Sequence, residues 1–158
     1  MGIRSNWLSA PRRLWRRRGH GVHSPFAYDF LRRVIAQPCH FYAYPRLDRI
    51  AAEHSLRPHL ARLLYRLCLH VAPLPVSCSG TEAEALAAIV ADLLPAGCPR
   101  PVAASPAPEG IAFATADAIP ALIEAWDAMP AGMLFRGTSA AIITGYPHLY
   151  HQRFDIWI

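Results

Sequence analysis

Between the apolar positions that end a helix-like pattern near Leu94 and the strand-like stretch Ile111 to Ala114 lie only about 16 residues, and five of them, at 95, 99, 101, 106 and 108, are proline. Proline fixes φ, gives up a backbone donor and pushes the residue before it toward extended conformation, so this stretch cannot carry a helix. Residues 95–109 read as a linker with at most one short strand, near Val102. A crossover joining two parallel strands takes at least ~10–12 residues including its helix. The middle of the chain therefore has no room for the repeated strand–helix units of a full doubly wound sheet. Any sheet must be assembled from what lies on either side.

On the N-terminal side the period is helical. Residues 1–24 form a basic arm, in which Pro11 opens a short helix that Gly19 closes. Ser24-Pro25 reads as N-cap and first helical residue, and Phe26, Phe30, Leu31, Val34 and Ile35 follow at helical spacing until Pro38. Tyr44 to His54 and Pro58 to Val71 are two further helices, completing a helical preface over residues 25–72. After Pro73 and Pro75 the pattern changes to α/β, over residues 73–158. Val76-Ser77-Cys78 is a strand, and Gly80-Thr81 leads into a helix with Leu86, Ile89, Val90, Leu93 and Leu94 on its core face. Thr81 and Glu84 have capping-box spacing. Past the linker, Ile111 to Ala114 is a strand, and Asp117 caps a helix bearing Ile119, Leu122, Ile123 and Trp126. Met133–Arg136, Ala140–Thr144 and Phe154–Ile158 are three strands expected to end the sheet antiparallel.

Charge is segregated along the chain. Every basic residue is arginine, and residues 1–66 hold thirteen arginines against three acids, a net +10, whereas residues 67–158 hold three against eight, a net −5. A basic N-terminal third attracts phosphates or an acidic partner. With 53% apolar and 17% charged residues the chain is not globally disordered. No stretch reaches the roughly 18 apolar residues of a spanning helix. Cys39, Cys68, Cys78 and Cys98 form no C-x-x-C pair, and a basic run follows Trp7-Leu8 where a leader would be apolar. The expectation is a reduced, cytoplasmic protein with free thiols.

One motif goes beyond pattern. Gly19-His20-Gly21-Val22-His23-Ser24-Pro25-Phe26, directly behind Arg16-Arg17-Arg18, resembles the N-terminus of a group of bacterial class I S-adenosylmethionine (SAM) dependent methyltransferases. Phe41-Tyr42-Ala43-Tyr44 and Leu63-Leu64-Tyr65-Arg66-Leu67 are similar to that family's helical preface. Ile123-Glu124-Ala125-Trp126, Leu134-Phe135-Arg136-Gly137 and Arg153-Phe154-Asp155-Ile156 are similar to its last helix and terminal strands. The resemblance implies a Rossmann-like sheet in which a Gly-rich turn after the first strand contacts the amino-acid portion of SAM. Here Cys78 stands where the family has an acidic residue, Gly80 and Thr81 survive, and Glu84 falls where a second glycine is expected. Glu82 and Glu84 would flank the helix N-terminus and repel an anion there. The strand–helix units that carry the ribose-binding acid in the family have no counterpart, which leaves Asp117 as the one strand-end carboxylate. The cofactor-binding candidates are thus Cys78, Gly80 and Thr81, as a vestigial SAM loop, and separately Asp117.

Other constellations carry less. Arg12, Arg13, Arg16, Arg17 and Arg18, with His20 and His23, are the candidate anion- or partner-binding residues; Trp7 and Trp15 among them suit base stacking or a lipid interface. A solvated basic helix with its tryptophans packed on the body is the plainer alternative, and for His23 and Ser24 the plainer role is fixing the turn into the Pro25 helix. His20, His23, Cys39 and His40 lack regular zinc-ligand spacing, so no metal is expected. No nucleophile has a local base, and no catalytic residue is assigned. The expectation is an α/β fold: an N-terminal helical extension and a reduced Rossmann-like sheet with antiparallel C-terminal strands. Its expected function is that of a degenerate, non-catalytic methyltransferase-like protein, a pseudoenzyme that acts through binding and holds no cofactor. The alternatives are a minimal active SAM-dependent methyltransferase, and an arginine-arm protein for nucleic acid or anionic membranes. An acidic protein or nucleic acid is the expected partner, and a homodimer would cover strand edges bared by the missing units.

Overall fold

The computed structural model describes residues 24–107 and 109–158. The preface forms as its periodicity requires. Helix α1 (Pro25–Phe30) is capped by Ser24, whose hydroxyl accepts the Ala27 N–H at 3.3 Å, and continues as a π-turn over Leu31–Ile35. Helices α2 (Tyr44–Glu53) and α3 (Pro58–Val71) each carry a proline in the first turn, where the missing N–H costs no hydrogen bond.

The α/β part follows in the order β1 (Val76–Ser79), α4 (Thr81–Ala91), β2 (Val102–Ala103), β3 (Ile111–Thr115), a 3-10 turn (Ala116–Ala118), α5 (Ile119–Asp127), β4 (Met133–Arg136), β5 (Ala140–Thr144) and β6 (Gln152–Asp155). The result is a mixed α/β fold with a six-stranded sheet in the order β2-β1-β3-β5-β4-β6. Strand β1 is parallel to β2 and β3, and β4 is parallel to β6; β5 lies antiparallel between β3 and β4. All strands except β5 therefore run the same way, and their carboxyl ends share one end of the sheet. Among the C-terminal strands, the antiparallel character resides in β5 alone. The last strand departs from the pattern expected for Phe154–Ile158. It starts earlier and runs parallel to β4, because the chain returns to the start of β4 before pairing, with Gln152 N–H bonded to the Gly132 carbonyl at 3.4 Å. Bonding continues past the strand, from Ile156 N–H to the Arg136 carbonyl and from Ser139 N–H to the Ile158 carbonyl.

Period-2 alternation sends the strands' side chains to two faces. Ile111, Phe113, Met133, Phe135, Ala140, Ile142 and Phe154 join the large core under α1 to α4, where Phe30 stacks on Phe135 at 4.5 Å. Ala112, Ala114, Leu134, Ala141 and Ile143 point the other way, onto Ile119, Leu122 and Trp126 of α5. Burying a phenylalanine such as Phe113 on the thick side stabilises by about 3–5 kcal/mol relative to alanine. The outer strand β2 is two residues long, exposed and preceded by Pro101, a blunt edge for further pairing. All four cysteines are free thiols. No helix among the described residues is long and apolar enough to cross a membrane.

Candidate functional site

In an open α/β sheet, ligands bind outside the carboxyl ends of the strands, where neighbouring connections leave for opposite faces. Here that point lies between β1 and β3. Strand β1 feeds α4, which packs on the thick face, and the adjacent β3 feeds α5 on the thin face. The sequence-derived candidates Gly80, Thr81 and Asp117 meet at this place.

Gly80 turns the chain from β1 into α4 with φ +106°, a conformation open to glycine at little steric cost. A Cβ on it would fall 2.3 Å from Thr115 Oγ1 and 2.8 Å from Asp117 Oδ1, so the space over the turn is already taken by the end of β3. The Asp117 carboxylate accepts the Thr81 N–H at 2.9 Å, the Thr81 hydroxyl at 2.5 Å and the Thr115 hydroxyl at 3.2 Å. It thereby caps α4 from a distant segment, satisfying one of the amide donors that a helix start leaves open. The Thr81 hydroxyl and then the Thr81 amide hold its pKa well below the usual 3.8, at about 2.

Three local expectations are corrected by this geometry. Thr81 and Glu84 do not form a capping box, because Gly80 occupies the N-cap and Thr81 is the first helical residue, its hydroxyl spent on Asp117. Asp117 does not cap α5, which starts after Ala118 with no side-chain cap; it lies within the 3-10 turn and reaches across to α4. Nor do Glu82 and Glu84 both stand at the helix start as free anions. Glu82 turns to Arg57, accepting its backbone N–H at 3.0 Å and its guanidinium at 2.6 to 3.2 Å, while Glu84 stays exposed. The Arg57 hydrogen bonds lower the Glu82 pKa.

Cys78 sits two residues before the turn but faces the thick core, 1% exposed, and burial pushes its thiol up to about 12. It is neither a ligand-facing group nor a ready nucleophile. Arg12, Arg13, Arg16, Arg17, Arg18, His20 and His23 lie outside the described residues. No group of three or more His, Cys, Asp or Glu among the described residues is placed to hold a metal ion. Sequence reasoning missed Thr115 and Arg57. Thr115 had a faint signal, a β-branched hydroxyl residue two positions before an acid at a strand end; the Arg57–Glu82 pair spans 25 residues and had none.

Compared with protein-family models, curated proteins and solved structures, the chain matches none of them.

Proposed function

We propose that this chain is a shortened, non-catalytic relative of the class I SAM-dependent methyltransferases, a cytoplasmic protein that acts by binding and holds no cosubstrate. The observation that carries the reading is the Asp117 carboxylate at the N-terminus of α4. In the family this resembles, that helix start faces the carboxylate end of SAM. Here the chain's own carboxylate has the amide, and a second anion would be repelled from it. The crowding of Gly80 by Thr115 and Asp117 points the same way, as does the absence of room for further strand–helix units between α4 and β3.

The binding role falls to the basic N-terminal third, with Arg12, Arg13, Arg16, Arg17, Arg18, His20 and His23 as contacts to nucleic acid or an acidic protein. Calorimetric titration with SAM and S-adenosylhomocysteine tests the first half: no saturable heat is expected, and saturable micromolar binding overturns the non-catalytic reading. Salt-dependent retention on heparin or single-stranded DNA tests the second. It is expected for the full chain and lost on deleting residues 1–18, whereas equal retention of both chains rules the arm out.

A further inference from the structure

A second feature occupies the same end of the sheet. Past the carboxyl ends of β4 and β6, the turn at Thr138 and Ser139 and the residues Trp157 and Ile158 face the segment 35–40 and the helices α2 and α3 across a cleft of about 630 Å³. Among the described residues two arginines line it, Arg62 and Arg66, and no aspartate or glutamate side chain does, while the last residue, Ile158, brings its terminal carboxylate to the lining. Arg62 is matched from behind by Asp48 and lies over the Tyr44 ring at 4.9 Å.

Arg66 is different. It is only 8% exposed, and none of its partners among the described residues is a carboxylate. Its Nε–H donates to the Val34 carbonyl at 2.5 Å, Nη1 to the Tyr44 hydroxyl at 3.0 Å and Nη2 to the Ile35 carbonyl at 3.4 Å. Val34 and Ile35 end the π-turn, where carbonyls run out of helical donors, which explains why an arginine is held there. A guanidinium has five N–H groups and stays protonated. Three have partners among the described residues, which leaves two N–H groups on a side chain lining a cleft where no described side chain is acidic; the carboxylate of the last residue, Ile158, accepts from the Ser139 N–H and the Thr138 hydroxyl instead. Burying a charge is costly unless an opposite charge meets it.

We propose that this cleft binds a small phosphate-bearing molecule, with the Arg66 guanidinium gripping the phosphate oxygens. The planar fork of arginine suits two parallel bonds to such an anion, and partial burial strengthens them relative to open solvent. The exposed Trp157 ring offers a surface on which a flat group attached to the phosphate can lie.

The test is calorimetry on the full chain in chloride buffer, titrated separately with inorganic phosphate and adenosine 5′-monophosphate. Saturable binding of at least one is expected. Tighter binding of the nucleotide identifies a phosphate ester as the ligand, and equal or tighter binding of phosphate identifies the free ion. Thr138→Asp sets a carboxylate on the exposed rim and is expected to weaken binding roughly tenfold or more without unfolding the protein. Arg66→Lys, which loses the fork, is expected to weaken it further if the variant folds. Arg100→Gln, at an exposed position outside the cleft, is expected to leave the affinity unchanged. The proposal is overturned by the absence of saturable binding, by affinity that survives Thr138→Asp, or by binding that is lost equally in Arg100→Gln.

Discussion

At the carboxyl ends of β1 and β3 a carboxylate is answered by amide and hydroxyl donors of its own chain; at the carboxyl ends of β4 and β6 a buried guanidinium is answered, among the described residues, by two carbonyls and a phenol. Both places lie where an α/β sheet ordinarily receives ligands. They differ in whether the chain completes its own electrostatics. The 3-10 turn after β3 carries Asp117 straight to the start of α4, two segments 36 residues apart in sequence. Among the described residues no carboxylate bonds to Arg66, whose partners are two main-chain carbonyls and a phenol hydroxyl. A site becomes filled when its counter-charge is supplied from within, and stays receptive when that counter-charge is left out.

The largest expected effect breaks the filled side. Gly80→Ala forces a side chain into positive φ and against Thr115 and Asp117. The backbone strain and the overlap each cost about 1–3 kcal/mol, so the urea midpoint is expected to fall sharply. A midpoint near that of the parent protein would mean the turn is looser than its geometry. On the open side, Arg66→Met removes the donor from the buried Val34 carbonyl and the Tyr44 hydroxyl, at about 1–3 kcal/mol. Equal or greater stability would show that the uncompensated charge outweighs the bonds it makes.

How much of this contrast the sequence exposed follows from the range of each interaction. The elements were legible where local signals agreed: Ser24-Pro25 starts α1, Pro58 starts α3, and the proline-dense linker carries only the two-residue β2. Gly80, Thr81 and Asp117 were legible as individual candidates, but not as one hydrogen-bonded group, since nothing local says that residue 117 returns to residue 81. The same holds for β6, whose direction is set by the route of the chain from β5 and not by its own alternation. Nothing local in Pro58–Val71 marks Arg66 as a buried residue. Only packing against the end of the π-turn buries it.

A smaller effect sharpens the boundary of the filled side. Glu82→Gln keeps an acceptor for the Arg57 N–H but removes the charge beside a guanidinium that is 39% exposed. Solvent screening at that exposure limits the expected loss to about 0.5–1 kcal/mol, measurable as a small drop in unfolding midpoint. A loss of several kcal/mol would mean that this pair, and not Asp117, chiefly holds the start of α4.

The mildest change is seen only in acid. Asp117 has a lower pKa folded than its ordinary 3.8, so the folded state favours its charged form. That contribution is complete above pH about 4 and is lost as pH falls from 3.8 toward 2. Asp117→Asn is therefore expected to unfold with a shallower pH dependence across that window. An unchanged acid limb would detach the carboxylate from α4.

The most direct measurement follows the carboxyl carbon of Asp117 by NMR together with the Thr81 amide through an acid titration of the folded protein. A common midpoint near 2 for both signals is the result expected of a carboxylate seated on the start of α4. A carboxyl midpoint near 3.8, with the Thr81 amide indifferent to it, would mean that the β1–α4 turn is open and that its claim to be filled from within is wrong.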